Sequence, residues 1–310
     1  MTTRVAAIDC GTNSIRLLIA ERDASGRLID LLRRLEIVRL GQGVDATGEF
    51  HPDALDRTFA AVDQYAGLID DAGVPVDCIH FVATSAARDA KNREVFFGGV
   101  RRRLGVQPDV ITGDREAQLS FTGALSGSEG RAEPILVMDI GGGSTEVIVG
   151  FADGRIDRAI SMDIGSVRLT ERFLHTSPPA SDELEEATHY VDGLLDASGI
   201  EFAAVGTWIG VAGTATTLAA VYLDLESYDR TRVHNSVIPR EEVGALLNLL
   251  AAKSVAEIRA IPAMHPQRAD VITAGTLIAS RIAARLTPVK EMIISESDIL
   301  DGIALSLLDR

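Results

Sequence analysis

Between Ile135 and Gly150 the chain reads I-L-V-M-D-I-G-G-G-S-T-E-V-I-V-G. No other stretch restricts the possible folds as strongly. An apolar run ends at Asp139, and the glycines Gly141, Gly142 and Gly143 follow. After Ser144, Thr145 and Glu146 a second apolar run leads away. The pattern predicts a strand, a tight loop and a second strand. Consecutive glycines tolerate positive φ and let backbone N–H groups come close to a ligand, so the loop suits a phosphate. Asp139 and Glu146 flank it. Carboxylates beside a phosphate require a cation between them.

The N-terminus repeats this design in V-A-A-I-D-C-G-T-N-S-I-R-L-L-I-A, residues 5–20. Asp9 matches Asp139, Gly11 matches Gly141 and Ser14 matches Ser144, all at an offset of 130. In each copy a strand leaves the loop and meets a turn, Asp23 to Gly26 or Asp153-Gly154, and a third strand follows. Two unrelated hairpins would not share this order of events, so a duplicated domain is predicted.

The rest of the chain alternates helical and strand patterns. Helices are expected over 53–71, 92–104, 182–197, 267–286 and 297–309. Asp114 is expected to cap a helix that begins R-E-A-Q-L-S-F at residue 115. Ser254 and Glu257 form a capping box. Strands are expected over 78–83, 110–112, 208–212 and 292–294. The loop G-V-A-G-T-A-T-T, residues 210–217, is a third small-residue turn after a strand. No low-complexity linker interrupts the pattern. Two closely apposed α/β domains are expected, 1–115 and 116–296, with a cleft between them. The helix over about 297–310 is free to pack back onto the first.

Composition narrows the function classes. The net charge of −15 disfavours nucleic acids and acidic membrane surfaces. Against that background residues 88–103 form a basic region of net +4, which serves equally as a solvated helix face or as a local attractor for a polyanion. Two cysteines in 310 residues are no disulfide framework, and the N-terminus lacks signal-peptide architecture. The longest mostly apolar stretch, Ile209 to Leu223, is too short and interrupted to span a bilayer. A cytoplasmic protein follows from these features, and a homodimer is the expected assembly on general grounds.

Three loops are thus candidate phosphate binders: Gly11 to Ser14, Gly141 to Ser144, and Gly210 to Thr216. The acids near them also have ordinary structural roles. Asp9 and Asp139 can cap turns, and Glu116 in the first turn of its helix complements the helix dipole.

Six stretches carry a family resemblance: D-C-G-T-N-S-I-R-L (9–17), A-T-S-A-A-R-D-A (83–90), G-D-R-E-A-Q-L-S-F (113–121), M-D-I-G-G-G-S-T-E (138–146), G-V-A-G-T-A-T-T (210–217) and R-A-D-V-I-T-A-G (268–275). Together they resemble, in order and over nearly the whole length, the exopolyphosphatase / guanosine pentaphosphate phosphohydrolase family of the actin–hexokinase superfamily, in its short two-domain form. The fold implied is α/β, with duplicated ribonuclease H-like (actin-like ATPase) domains and an interdomain cleft. The chain departs from the family at S-E-S-D-I-L-D-G (295–302), where Leu300 replaces an arginine and Asp301 a glutamate.

The resemblance implies metal-assisted hydrolysis of a terminal phosphate from inorganic polyphosphate. It assigns Glu116 as general base and Glu146 as its helper in orienting water or metal. Asp9 and Asp139 are the implied holders of Mg²⁺ or Mn²⁺. Gly11, Thr12, Asn13, Ser14, Arg88, Gly141, Gly142, Gly143, Ser144, Gly213 and Thr214 are the implied phosphate contacts. Guanosine pentaphosphate is the alternative substrate. An actin-fold small-molecule kinase and a non-catalytic nucleotide sensor are alternative readings of the same loops.

Overall fold

The computed structural model describes residues 3–125 and 130–309. The chain forms two compact units, Met1–Gly123 with Ile299–Arg310, and Ala124–Asp298.

The first unit is built on a five-stranded sheet of order β3-β2-β1-β4-β5. Its strands are β1 (Val5–Cys10), β2 (Ser14–Arg22), β3 (Leu28–Ile37), β4 (Ile79–Ala83) and β5 (Asp109–Val110). β1 to β3 are antiparallel, whereas β1, β4 and β5 run parallel. Every residue of β1 is buried, as a central strand covered on both faces must be. Ala6, Ile8 and Cys10 face a core shared with the helices Pro52–Asp71 and Arg93–Leu104. Val5 and Ala7 face the helix Ile299–Leu308, through Ile299, Leu300, Ile303 and Leu307.

That terminal helix accounts for the departure at 300–301. Leu300 is fully buried in the apolar layer, and Asp301 takes the Arg33 guanidinium on two oxygens, at 2.7 and 3.2 Å. Gly302 lets the helix touch the backbone of Gly113–Ala124, because a Cβ there would sit 2.1 Å from the Leu119 carbonyl oxygen.

The second unit repeats the path. Its sheet has the order β10-β11-β9-β6-β7-β8. The strands are β6 (Ile135–Ile140), β7 (Thr145–Gly150), β8 (Ile156–Met162), β9 (Thr207–Val211), β10 (Val237–Pro239) and β11 (Glu291–Ile294). β6 to β8 are antiparallel and β6, β9 and β11 parallel, as in the first unit, with β10 added at one edge. The helices Ser166–Phe173, Ser181–Ala197, Ala212–Tyr222, Arg240–Ala251 and Ile272–Arg285 contribute to one large core around Trp208.

Two helix boundaries differ from expectation. The segment expected to be helical from 267 forms turns first, and its helix runs only Ile272–Arg285. Within those turns the Arg268 N–H donates to the His265 carbonyl at 2.8 Å, and its Nη1 donates to the Gly213 carbonyl at 2.6 Å and to Thr217 Oγ1 at 3.1 Å. The helix carrying Glu116 starts at Gly113, before Asp114, and Thr112 Oγ1 accepts from the Arg115 N–H at 3.3 Å in the capping role expected of Asp114. The Ser254–Glu257 capping box forms as read, with the Ser254 N–H bonded to Glu257 Oε2 at 2.8 Å. No described helix is long and apolar enough to cross a membrane.

Candidate active site

In open sheets, ligands collect beyond the carboxyl ends of parallel strands. In the first unit those ends belong to β1, β4 and β5. The loop after β1 is Gly11–Asn13. The segment after β4 forms the short helix Ser85–Asp89 with Arg88, and the segment after β5 leads to Glu116. The Arg88 Nη1 donates to Glu116 Oε2 at 2.8 Å and to the Ile111 carbonyl at 2.9 Å. Glu116 is buried, 7% exposed. Thr12 Oγ1 lies 3.0 Å from Ser85 Oγ, which ties the loop to the Arg88 helix. The Gly11 N–H donates to the Ser14 carbonyl at 3.0 Å and closes the turn. Asn13 Oδ1 is shielded and has no donor. Asp9, Gly11 to Ser14, Arg88 and Glu116 therefore stand at one end of this sheet.

The second unit arranges its residues in the same way. Asp139 is near the end of β6, Gly141 to Ser144 follow, and Glu146 is the second residue of β7. The Gly141 N–H closes this turn on the Ser144 carbonyl, again at 3.0 Å. Gly213 and Thr214 begin the helix after β9. The Thr214 hydroxyl is spent on the Ile140 carbonyl at 3.1 Å, and Arg268 occupies the Gly213 carbonyl. This third loop is thus engaged with its own unit.

Both phosphate-type loops are held by their carbonyls. In the second unit, Gly141 O accepts from the Ser166 N–H at 2.9 Å, and Gly142 O accepts from Val167 and Arg168 at 2.9 and 3.1 Å. In a trans peptide the N–H points opposite to the C=O. The tethers therefore turn the N–H groups of Gly142 and Gly143 to the other side. In the first unit, Thr12 O accepts from Gly41 at 2.9 Å, and Asn13 O from Val38 and Arg39 at 3.0 and 2.9 Å, which orients the N–H groups of Asn13 and Ser14 likewise. Each tether follows the third strand of its copy.

A glycine makes each tether possible. A Cβ at Gly41 would lie 2.3 Å from Thr12 Cγ2, and one at Gly165 would lie 2.5 Å from the Gly142 carbonyl carbon. The φ of Gly165 is −147°, open to any residue, so only space demands glycine there. Gly165→Ala is expected to displace the Gly142 peptide. Overpacking of this kind costs about 1–3 kcal/mol, and kcat/KM for phosphate release should fall at least about tenfold, for a misaligned site. Steady-state kinetics beside a thermal melt checks this; unchanged kinetics would show that the loop tolerates the shift. Leu40-Gly41 and Ile164-Gly165 were missed as site elements in the sequence. Their signal is an apolar–glycine pair just beyond the third strand of each copy.

The two copies differ in charge at one register position. In the first unit Asp9 lies opposite Arg16, and Asp9 Oδ2 receives Arg16 Nε at 3.1 Å and Nη2 at 2.6 Å. In the second unit Asp139 lies opposite Glu146. These two carboxyl groups are 6% and 1% exposed. Directly opposed residues have Cβ atoms about 4.5–5.5 Å apart, where like charges repel. Ser161 Oγ donates to Glu146 Oε1 at 2.6 Å, which orients that carboxylate. Among the described residues no group of three or more His, Cys, Asp or Glu could hold a metal ion. A pair of carboxylates nevertheless suits a cation that keeps most of its waters, as Mg²⁺ does. Asp139 with Glu146 fits such an ion; Asp9 already has a guanidinium on it.

The Ppx/GppA phosphatase family profile matches residues 18–310. The chain is 43% identical over 318 aligned residues to Exopolyphosphatase 2 of Mycobacterium tuberculosis (strain CDC 1551 / Oshkosh), covering 98% of both proteins. The crystal structure of an exopolyphosphatase-like protein superposes with a TM-score of 0.93 at 41% identity, covering 98% of this chain and 97% of that one. The Ppx/GppA family member of Aquifex aeolicus superposes with a TM-score of 0.83 at 30% identity, over 100% and 99% of the two chains. The duplicated actin-like α/β fold expected from sequence is the fold of these structures.

Proposed function

Because the chain belongs to the Ppx/GppA phosphatase family, we propose that it is an exopolyphosphatase, hydrolysing the terminal phosphate of inorganic polyphosphate, with short chains preferred. The observation that carries the reading is the Arg88–Glu116 pair, 2.8 Å apart beside a glycine loop with oriented amides. Glu116 takes a proton from the attacking water. The water oxygen bonds to the terminal phosphorus. The bridging P–O bond breaks, and its electron pair leaves with the shortened chain. Arg88 fixes the Glu116 carboxylate through Oε2 and offers positive charge to the phosphate. The oriented amides of Asn13 and Ser14 offer donors for phosphate oxygens in the first unit, and those of Gly142 and Gly143 offer the same donors in the second. Asp139 and Glu146 would hold Mg²⁺ or Mn²⁺, which when bound neutralises phosphate charge and lowers the pKa of coordinated water.

The preference for short chains rests on the net charge of −15, which offers a long polyanion no extended basic track. The test is phosphate release, with divalent metal, from tripolyphosphate, long polyphosphate, guanosine pentaphosphate and ATP side by side. Fastest release from tripolyphosphate is expected. Faster release from guanosine pentaphosphate or ATP than from either polyphosphate would overturn the assignment.

A further inference from the structure

Next to the Arg88–Glu116 pair, within the first unit, lies an open cavity of about 430 Å³. Arg88, Arg93 and Thr112 supply its polar lining, and Phe97, Val110 and Ile111 much of its apolar wall. No carboxylate lines it. Arg88 uses only Nη1 on protein acceptors, so Nε and Nη2 keep their donors for another partner. Arg93 opens the helix Arg93–Leu104, is exposed, and among the described residues has neither an acidic partner nor a side-chain hydrogen bond. Arg88 is balanced by Glu116, so Arg93 brings to this cavity a positive charge with no acidic partner among the described residues, which an anion would balance. Guanidinium forks match phosphate oxygens two at a time.

We propose that this cavity is a second phosphate subsite, in which Arg93 is a substrate-positioning residue holding a phosphate of the inorganic chain next to the one at Arg88. The inference rests on the polyphosphate reading above and adds to it a residue outside the loops and acids already described. The basic region of residues 88–103 then divides. Arg88 and Arg93 line the cavity, whereas Arg103 packs over the Phe59 ring with its guanidinium carbon 4.5 Å from the centroid.

The test measures KM and kcat for tripolyphosphate with Arg93→Ala and Arg93→Lys. It also measures equilibrium binding of tripolyphosphate and of GTP by calorimetry, in a Glu116→Gln background that prevents turnover. Loss of a charge-assisted contact is expected to raise KM and Kd for tripolyphosphate about tenfold in Arg93→Ala, with kcat within about twofold. Lysine should restore part of the loss, because it keeps the charge without the fork. Unchanged KM and Kd in Arg93→Ala would overturn the subsite. A loss confined to GTP would overturn its assignment to the inorganic chain, because a nucleoside would then be using the Phe97 wall. If the parent protein releases no phosphate from tripolyphosphate, the polyphosphate reading fails; the calorimetric arm still decides whether Arg93 holds phosphate.

Discussion

Glu116→Gln should reduce kcat for phosphate release by about 10²–10⁴-fold, the range that a positioned general base contributes. Glutamine keeps the volume of the side chain, and its amide oxygen can still accept from Arg88 Nη1, now 2.8 Å from Glu116 Oε2. The fold and the phosphate contacts therefore stay in place while the proton acceptor is lost. Tripolyphosphate should bind within about threefold of the parent affinity, since a neutral group replaces a carboxylate facing an anion. Stopped assays of phosphate release together with calorimetry separate the two effects. Turnover close to that of the parent would remove Glu116 from the role of base.

The second large effect concerns the opposed carboxyl groups of β6 and β7. Glu146→Gln should raise the divalent metal concentration needed for half-maximal activity by at least about 10–100-fold. Without metal, the same variant should melt no lower than the parent, because one of two buried like charges has gone. Ser161 Oγ can still donate to the amide oxygen at position 146, so the local hydrogen bond survives. A metal titration of activity and a thermal melt in EDTA check the two halves. An unchanged metal requirement would exclude Glu146 from the cation site. A clear loss of stability in EDTA would mean that the carboxylate itself holds the strands.

The duplication was legible because it rests on local chemistry. Asp, Gly and Ser at matched spacing after an apolar run specify a strand and a tight loop wherever they occur, and both sheets follow the predicted path. The residues that separate the two copies in charge, Arg16 and Glu146, also share the offset of 130. Their meaning stayed hidden because it depends on cross-strand register, which places one opposite Asp9 and the other opposite Asp139. The tethers were missed for a related reason. Gly41 donates to the Thr12 carbonyl and Gly165 packs against Gly142, each from the segment that follows a strand paired with the one leaving the loop, and sequence spacing does not encode that pairing. The same limit applies to the third loop. There the Thr214 hydroxyl donates to the Ile140 carbonyl of a neighbouring strand, a partner that sequence spacing does not show. The helix expected from 267 begins only at Ile272, after backbone turns such as that closed by the Arg268 N–H on the His265 carbonyl, which the apolar spacing does not distinguish from a helical turn.

The helix Ile299–Leu308 imposes an order on biosynthesis. The first unit begins at the N-terminus, but Val5, Ala7, Leu18 and Ala20 on one face of its sheet are covered by residues that leave the ribosome almost three hundred positions later. The second unit, Ala124–Asp298, is continuous in sequence and can complete its core while the first still lacks a wall. Until the final helix docks, the nascent sheet presents an apolar face of the kind that chaperones bind and that drives aggregation. A stop codon at position 299 would therefore yield a chain with a complete second unit and a permanently sticky first one.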